Sequence, residues 1–223
     1  DDSFVLTTQG SYSPDGTLKW GWLPRAGYAD TSSSNFATAN NPDSWHPSWT
    51  QWPGEYGDGV IIGLDEGYFV MDDFTNMMSN YLPFPDDPSK RGLGLKAEVR
   101  IYQFGNALKD AVIIKYKLTN ESPKNLNKLY FGFHGDPHVG GPSNFSDDRV
   151  KVVLNSDIAG NSVLQPAFGT IYNWDDDMLG DGDRPAYYMN FKLLKTPGDK
   201  NLTSFHPAPW TSSLPNVPKN SAL

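Results

Sequence analysis

The clearest pattern of hydrophobic and polar positions lies between residues 95 and 104. Leu95, Ala97, Val99 and Ile101 alternate with polar or charged neighbours, so one face of this segment is apolar. Successive side chains of a β-strand point to opposite faces, and a period of two is therefore typical of a half-buried strand. The pattern predicts a strand over residues 95–104.

Two later segments alternate in the same way, over residues 111–119 and 128–134. Between them, residues 120–125 are rich in Asn, Ser and Pro, which favour turns. The three segments together predict an antiparallel meander. We expect its apolar positions to be buried, namely Leu95, Val99, Ile101, Val112, Ile114, Leu118, Leu129, Phe131 and Phe133.

Composition extends this picture to the whole chain. The 223 residues include 21 glycines and 18 prolines, and aromatic residues make up 13%. This balance favours short strands joined by turns, so we predict an all-β fold, an antiparallel β-sandwich. Further strands are predicted at residues 60–64, 67–71, 149–154, 168–174 and 186–194.

The composition along the chain predicts three regions, namely an arm, a body and a tail. Residues 1–58 contain five of the seven tryptophans and form a predicted irregular arm, while residues 59–196 form the sandwich body. Residues 197–223 are rich in Pro, Ser and Asn and read as a tail or linker. We expect the arm to pack on the body, because its rings would otherwise form exposed apolar patches.

The charge and the cysteine content argue against several classes of partner and site. The formal net charge of -8 argues against nucleic acid as a partner, because an acidic surface repels phosphates. With no cysteine, disulfides and thiolate metal sites are excluded. No apolar run is long enough to insert into a membrane. The chain begins at Asp1 rather than Met, so we expect a piece of a longer protein or assembly.

The strongest chemical signal is an acidic loop at residues 175–183, which directly follows a predicted strand. Five carboxylates occur in these nine residues, and the candidate ligands among them are Asp175, Asp177, Asp181 and Asp183. Carboxylates this close repel one another unless a cation or full solvation separates them. The spacing does not match an EF-hand. The loop therefore predicts either a calcium site or a solvated acidic turn.

A second acidic group follows the predicted strand at 128–134. Asp136, Asp147 and Asp148 belong to it, and strand ends at one edge of a sandwich converge, so we expect these side chains to meet the 175–183 loop. His134 and His138 flank Asp136 and offer a zinc site as an alternative.

Catalytic motifs are missing from the sequence. There is no Gly-x-Ser-x-Gly, no His-Glu-x-x-His and no phosphate loop, and no pair of carboxylates stands out for glycoside hydrolysis. We therefore predict that the chain is not an enzyme. Trp45, Trp49 and Trp52 lie beside prolines, and they are either structural aromatic residues or a platform for stacking sugars.

Several motifs in a fixed order resemble a β-rich module of large bacterial proteins that are secreted by the type IX system with a C-terminal sorting tail. They include Ser44-Trp-His-Pro-Ser-Trp49, Asp65-Glu-Gly-Tyr-Phe-Val-Met-Asp-Asp73, Arg91-Gly-Leu-Gly-Leu95, Phe131-Gly-Phe-His-Gly-Asp-Pro-His-Val-Gly-Gly141, Tyr172-Asn-Trp-Asp-Asp-Asp177 and Arg184-Pro-Ala-Tyr-Tyr188. The resemblance covers about residues 40–198. It implies a secreted or cell-surface β-rich protein and no particular activity. Where the family reads Asp-x-Asp-x-Gly, this chain keeps Asp136 and has His138 at the second Asp position.

Two functions remain open at this point. The first is a calcium-stabilised structural or adhesive module, extracellular or on the cell surface, whose partners are other subunits or the remaining domains of a parent protein. The second is a carbohydrate-binding or carbohydrate-active domain that uses its tryptophans and carboxylates. Exposed rings beside polar groups would favour glycans as partners, and buried rings would favour the structural module.

Overall fold

The structure is a computed structural model in which nearly all the regular elements are strands. It describes residues 11, 12, 15, 17, 19–28, 36–77, 80–133, 135, 137–153 and 170–199. The described ranges also contain three short 3₁₀ turns, at Pro42–Ser44, Asn106–Leu108 and Pro197–Asp199. The predicted all-β fold is confirmed, whereas the sandwich arrangement stays a prediction. Within the described ranges, no helix is long and apolar enough to cross a membrane.

The chain divides into two compact units, Asp1–Gly132 (unit 1) and Phe133–Leu223 (unit 2). The strands of unit 1 are β1 Ser11–Tyr12, β2 Lys19–Trp20, β3 Leu23–Pro24, β4 Ala37–Thr38, β5 Pro53–Gly54, β6 Gly57–Asp58, β7 Asp65–Asp72, β8 Leu95–Gln103 and β9 Val112–Asn120. Those of unit 2 are β10 Asp148–Val153, β11 Thr170–Asp175, β12 Leu179–Gly180, β13 Arg184–Pro185 and β14 Met189–Lys192.

Unit 1 is built on a five-stranded antiparallel sheet. Its order is β3–β7–β8–β9, and β4 also pairs with β7. The longest pairing joins β8 to β9, from Leu95 opposite Asn120 to Gln103 opposite Val112. The predicted strands at 95–104 and 111–119 are confirmed as β8 and β9, because their alternation matches the pleat of a real ladder.

The aromatic cluster of unit 1 packs on one face of this sheet. Trp52 is 1% exposed and lies among Ala37, Tyr68 and other buried residues, with Trp45 and Trp49 half-buried against them. The Trp49 ring lies edge-on to the Trp52 ring at 6.3 Å, in the geometry that the ring quadrupole favours. The described part of residues 36–58 is therefore held to the sheet by its indole rings.

The predicted strand at 128–134 is wrong for the residues that are described. Residues 128–133 form no strand and follow a turn after β9 instead of pairing with it. Phe131 lies across the sheet with its ring 5.3 Å from Tyr116 and 6.5 Å from Trp22. A segment that packs on a sheet can show the same alternation of apolar and polar residues as a strand. It forms no strand here, because it makes no backbone hydrogen bonds to a neighbouring strand among the described residues.

The predicted strand at 60–64 is also wrong. This segment is a bend that precedes β7, and the backbone N–H groups of Ile62 and Gly63 donate to the Glu66 carboxylate instead of to a neighbouring strand. Glu66 is 2% exposed and also accepts from Trp52 Nε1 at 2.9 Å. A buried carboxylate needs such donors, and here it takes them from the backbone that would otherwise form a ladder.

The predicted core is only partly correct. Leu95 and Val99 are buried, and Ile101 and Leu118 are half-buried. The other five predicted core residues are exposed, namely Val112, Ile114, Leu129, Phe131 and Phe133. Val112 and Ile114 are exposed because they lie on the outer strand of the sheet, while the other three lie outside any strand.

Unit 2 contains a three-stranded antiparallel sheet in the order β10–β11–β14, together with the β12–β13 hairpin. The predicted strands at 149–154 and 168–174 correspond to β10 and β11, and β14 is shorter than the predicted 186–194. The buried residues of its described part are unusually polar, with Thr170, Asn173 and Asp175 beside Val139 and Ala186. The described part of unit 2 therefore gains little from apolar burial, which gives weight to the environment of its buried carboxylate.

Candidate metal centre

Strand pairing brings the two acidic segments of unit 2 together. Asp148, the first residue of β10, lies directly opposite Asp175, the last residue of β11. Asp147 precedes β10, and Asp177 lies in the bend after β11. Because the strands are antiparallel, the start of one and the end of the other meet at the same edge of the sheet.

Asp147, Asp175 and Asp177 form the acidic cluster. Each of them offers a carboxylate oxygen, and the three oxygens lie within 4.8 Å of one another. Asp175 is 0% exposed, Asp147 is half-buried and Asp177 is exposed. Three carboxylates at this separation repel one another strongly unless a cation or protons neutralise them.

The bend after β11 is organised by the carboxylates themselves. The backbone N–H of Leu179 donates to Asp177 Oδ1 at 2.8 Å and to Asp175 Oδ1 at 3.2 Å. Met178 adopts a positive φ of 62°, which turns the chain back towards β12. These contacts fix one oxygen of each aspartate and leave the other available to a ligand.

A glycine turn closes over the buried carboxylate. Gly140 has a φ of +94°, and a Cβ atom there would lie 2.9 Å from Asp175 Oδ2 and 3.0 Å from the Cα of Gly180. The carbonyl of Gly140 also accepts from the N–H of Asp181 at 2.9 Å. Glycine is required here because both the backbone angle and the close approach exclude a side chain.

Burial raises the pKa of Asp175, and the neighbouring carboxyl group of Asp177 and the charge of Asp147 raise it further. Burial likewise raises the pKa of Asp148; its hydrogen bond from Val139 N–H acts in the opposite direction, and the charges of Asp175 and Asp147 add to the increase. The folded unit therefore holds its carboxylates in an unfavourable state when they are ionised. A bound cation would remove this penalty.

Three buried oxygen atoms accept no hydrogen bond within the described part of the chain. They are Asp175 Oδ2, Asp148 Oδ1 and Asn144 Oδ1. Buried polar atoms are nearly always satisfied, and an orphan calls for an ion or a water. The Nδ2 group of Asn144 donates to the carbonyl of Leu179 at 2.6 Å, so this amide is anchored with its oxygen free. The residues present therefore fit a hard, oxygen-seeking cation.

The remaining predicted ligands are placed differently. Asp181 Oδ2 accepts the backbone N–H of Ser143 at 3.2 Å, and Asp183 has a φ of +56° in the turn between β12 and β13. Neither belongs to the acidic cluster. Asp136 and His134 lie outside the described residues, while the ring of His138 stacks on Phe145 at 4.8 Å.

Sequence reasoning missed Asn144. The side-chain ligands predicted from the sequence are carboxylates and histidines, although amide oxygens also bind calcium. The available signal is its position, three residues before Asp147 in the same loop. An asparagine in a loop is common for turn formation alone, so this signal becomes informative only once the fold places its oxygen.

The predicted sugar platform is incomplete in unit 1. The Trp52 ring is buried, so a sugar cannot stack on it, and Trp45 and Trp49 present only part of their surfaces. Trp45 also donates its Nε1–H to the carbonyl of Thr38 at 2.7 Å, which ties it to β4. The geometry of the three rings is that of a packed cluster.

Comparisons of the chain with models of protein families, with curated proteins and with solved structures found no match.

Proposed function

We propose that the chain is a secreted or cell-surface structural or adhesive β module in which a calcium ion stabilises unit 2. The observation that carries this proposal is the acidic cluster, where the fully buried Asp175 lies with Asp147 and Asp177 and has an oxygen without a hydrogen-bond partner. Folding forces these carboxylates together, and a cation supplies the opposite charge that the described residues do not.

Calcium suits the cluster better than other common cations. Its donors are carboxylate and amide oxygens, which hard cations prefer over zinc or copper. They come from the loop before β10, the end of β11 and the bend after it, and calcium accepts six to eight oxygens in irregular geometry. Magnesium requires a tighter octahedron and keeps more of its own water.

A structural role fits the closed form of the cluster. The turn at Gly140 lies against the carboxylate of Asp175, whose side chain is fully buried, so the cluster is closed on this side. The sequence contains no catalytic motif that would make use of a metal here. Calcium sites of extracellular modules bind with Kd values of about 0.1–1 mM, and an ion bound in this range would stabilise a unit whose described part buries few apolar groups.

Thermal unfolding with calcium and with EDTA tests this proposal. An ion that binds only the folded state adds about 2.7 kcal/mol at a hundredfold excess over Kd, so the melting temperature should fall on chelation. Asp177→Asn should remove most of this difference and, because Asp177 is exposed, should leave the protein folded. Asp176→Asn is the matched control, since Asp176 pairs with Arg149 at 2.8 Å. An identical melt in calcium and in EDTA would reject the calcium site.

A further inference from the structure

The outer strand of the unit 1 sheet presents an unusually long open edge. Strand β9 has nine residues and pairs with β8 along one side. Among the described residues, no strand pairs with its other side. At the opposite end of the sheet β7 is covered by β3 and β4, which have two residues each. An open edge carries backbone donors and acceptors in a row and is a template for another strand.

The edge is basic although the protein is acidic. Residues 109–128 contain five lysines and two acidic residues, whereas the whole chain has a net charge of -8. Lys115 and Lys117 lie on the same face of β9, with side chains 52% and 66% exposed. They contact Glu55 and Glu98 respectively, but an ammonium group has three donors, so each retains donors for a further carboxylate.

The first part of the other face of β9 is apolar and open. Val112 and Ile114 point to the side opposite Lys115 and Lys117, and they are 60% and 44% exposed. A strand paired with β9 would place its own alternate side chains beside these two pairs. The basic face of β9 therefore favours acidic residues at alternate positions of a paired strand, and its apolar face favours aliphatic residues at the positions between them.

We propose that the open edge of β9 binds an extended acidic strand of a partner protein, in which acidic residues alternate with aliphatic ones. The acidic residues lie beside Lys115 and Lys117, the aliphatic residues lie beside Val112 and Ile114, and backbone hydrogen bonds extend the sheet. This inference gives the proposed structural module its partner and rests on that function, but it uses no residue of the acidic cluster in unit 2.

Charge favours such a partner over a second copy of β9. Full-length antiparallel pairing of two β9 strands is centred on Tyr116 and places Lys115 of one copy opposite Lys117 of the other, twice. Like charges directly opposite each other destabilise a strand pair. Carboxylates at these positions reverse the sign of both interactions.

Titration with a synthetic peptide of sequence Ser-Glu-Val-Glu-Val-Glu-Val-Ser tests the proposal. The peptide should bind, and it should protect the backbone amides of β9 from hydrogen exchange. Lys115→Glu with Lys117→Glu should weaken binding on the order of tenfold or more, because two cross-strand charge pairs become repulsive. Lys109→Glu with Lys128→Glu is the matched control, since it makes the same change of charge outside the strand.

Two peptide controls separate strand addition from simple charge attraction. A peptide with alternate amides N-methylated keeps its charge and loses its backbone donors, so it should not bind, and a peptide with Lys in place of Glu should not bind either. Absence of binding by the acidic peptide, or equal binding by the N-methylated one, would overturn the proposal. So would self-association of the protein with protection at β9, which would identify a second copy as the occupant.

The outcome is independent of the calcium experiment. Peptide binding together with an identical melt in calcium and EDTA supports the open edge and rejects the metal site. A calcium-dependent melt without peptide binding rejects the open edge alone.

Discussion

At the residue scale, Asp73 is a carboxyl group that unit 1 buries completely, at 0% exposure. It accepts the backbone N–H groups of Leu93 at 2.7 Å and Leu95 at 2.8 Å, yet burial outweighs these bonds and raises its pKa from 3.8 to about 6. The folded protein therefore holds this proton more tightly than the unfolded chain. The contribution of Asp73 to stability is largest below about pH 4 and decreases as the pH rises through about 6.

Chemical denaturation over this range measures the effect. A shift of this size corresponds to a decrease of about 3 kcal/mol in the free energy of unfolding between about pH 4 and above pH 6. Asp73→Asn should abolish this decrease, while Asp110→Asn, at a side chain 83% exposed, should retain it. A constant difference in stability between the native protein and Asp73→Asn across the range would show that the carboxyl titrates normally.

Trp52 is the residue on which the aromatic cluster depends. Its ring is 1% exposed, and its Nε1–H donates to the buried Glu66. Trp52→Ala should lower the free energy of unfolding by about 3–5 kcal/mol, because it leaves a large cavity. Tyr56→Ala, in the same segment but at a ring 70% exposed, should change it by less than about 0.5 kcal/mol. Equal losses in urea denaturation would contradict the packed cluster.

At the element scale, two glycine turns of unit 2 differ in one respect. Gly140 and Gly182 both have positive φ, but a Cβ at Gly140 would press on Asp175, whereas a Cβ at Gly182 would meet no atom within 4 Å. Gly182→Ala should lower the free energy of unfolding by about 1–2 kcal/mol through backbone strain alone. Gly140→Ala should add about 1–3 kcal/mol of steric strain and also weaken calcium binding. Similar effects of both variants on stability and calcium affinity would contradict the closed turn over Asp175.

The alternation of β8 was sufficient to predict that strand, because each apolar residue of its buried face meets a neighbouring strand. The same alternation in β9 predicted the strand but not its exposure, since Val112 and Ile114 lie at the outer edge of the sheet. In residues 128–133 it predicted a strand where the chain forms none. A hydrophobic pattern shows which face of a segment is apolar, but it does not show which part of the protein covers that face.

The candidate metal centre was predictable in part for a similar reason. The run of aspartates predicted Asp175 and Asp177 as ligands, but it predicted Asp181 and Asp183 equally, and these two lie outside the cluster. The meeting with Asp147 depends on the pairing of β10 with β11, which joins residues distant in sequence. The orientation of the Asn144 amide depends on its hydrogen bond to the carbonyl of Leu179, which lies 35 residues away in sequence and cannot be predicted from the local pattern.

At the scale of the whole molecule, the two units differ in what stabilises them. Unit 1 buries an apolar cluster with Trp52, Tyr68 and Val70 at its centre. The described part of unit 2 buries Thr170, Asn173 and Asp175 beside few apolar groups. Removal of calcium should therefore accelerate hydrogen exchange in β10 and β11 while β7 and β8 keep their protection. Uniform acceleration in both units would contradict a stabilising ion confined to unit 2.

The most direct test of the calcium site is isothermal titration calorimetry of the metal-free protein. Calcium should bind to the native chain with measurable heat and saturate at the acidic cluster. Asp175→Asn should abolish the heat, and Asp176→Asn should retain it, because Asp176 pairs with Arg149 outside the cluster. If the native protein shows no heat and its unfolding is the same in calcium and in EDTA, residues 175–183 form a solvated acidic turn and the account of unit 2 is wrong.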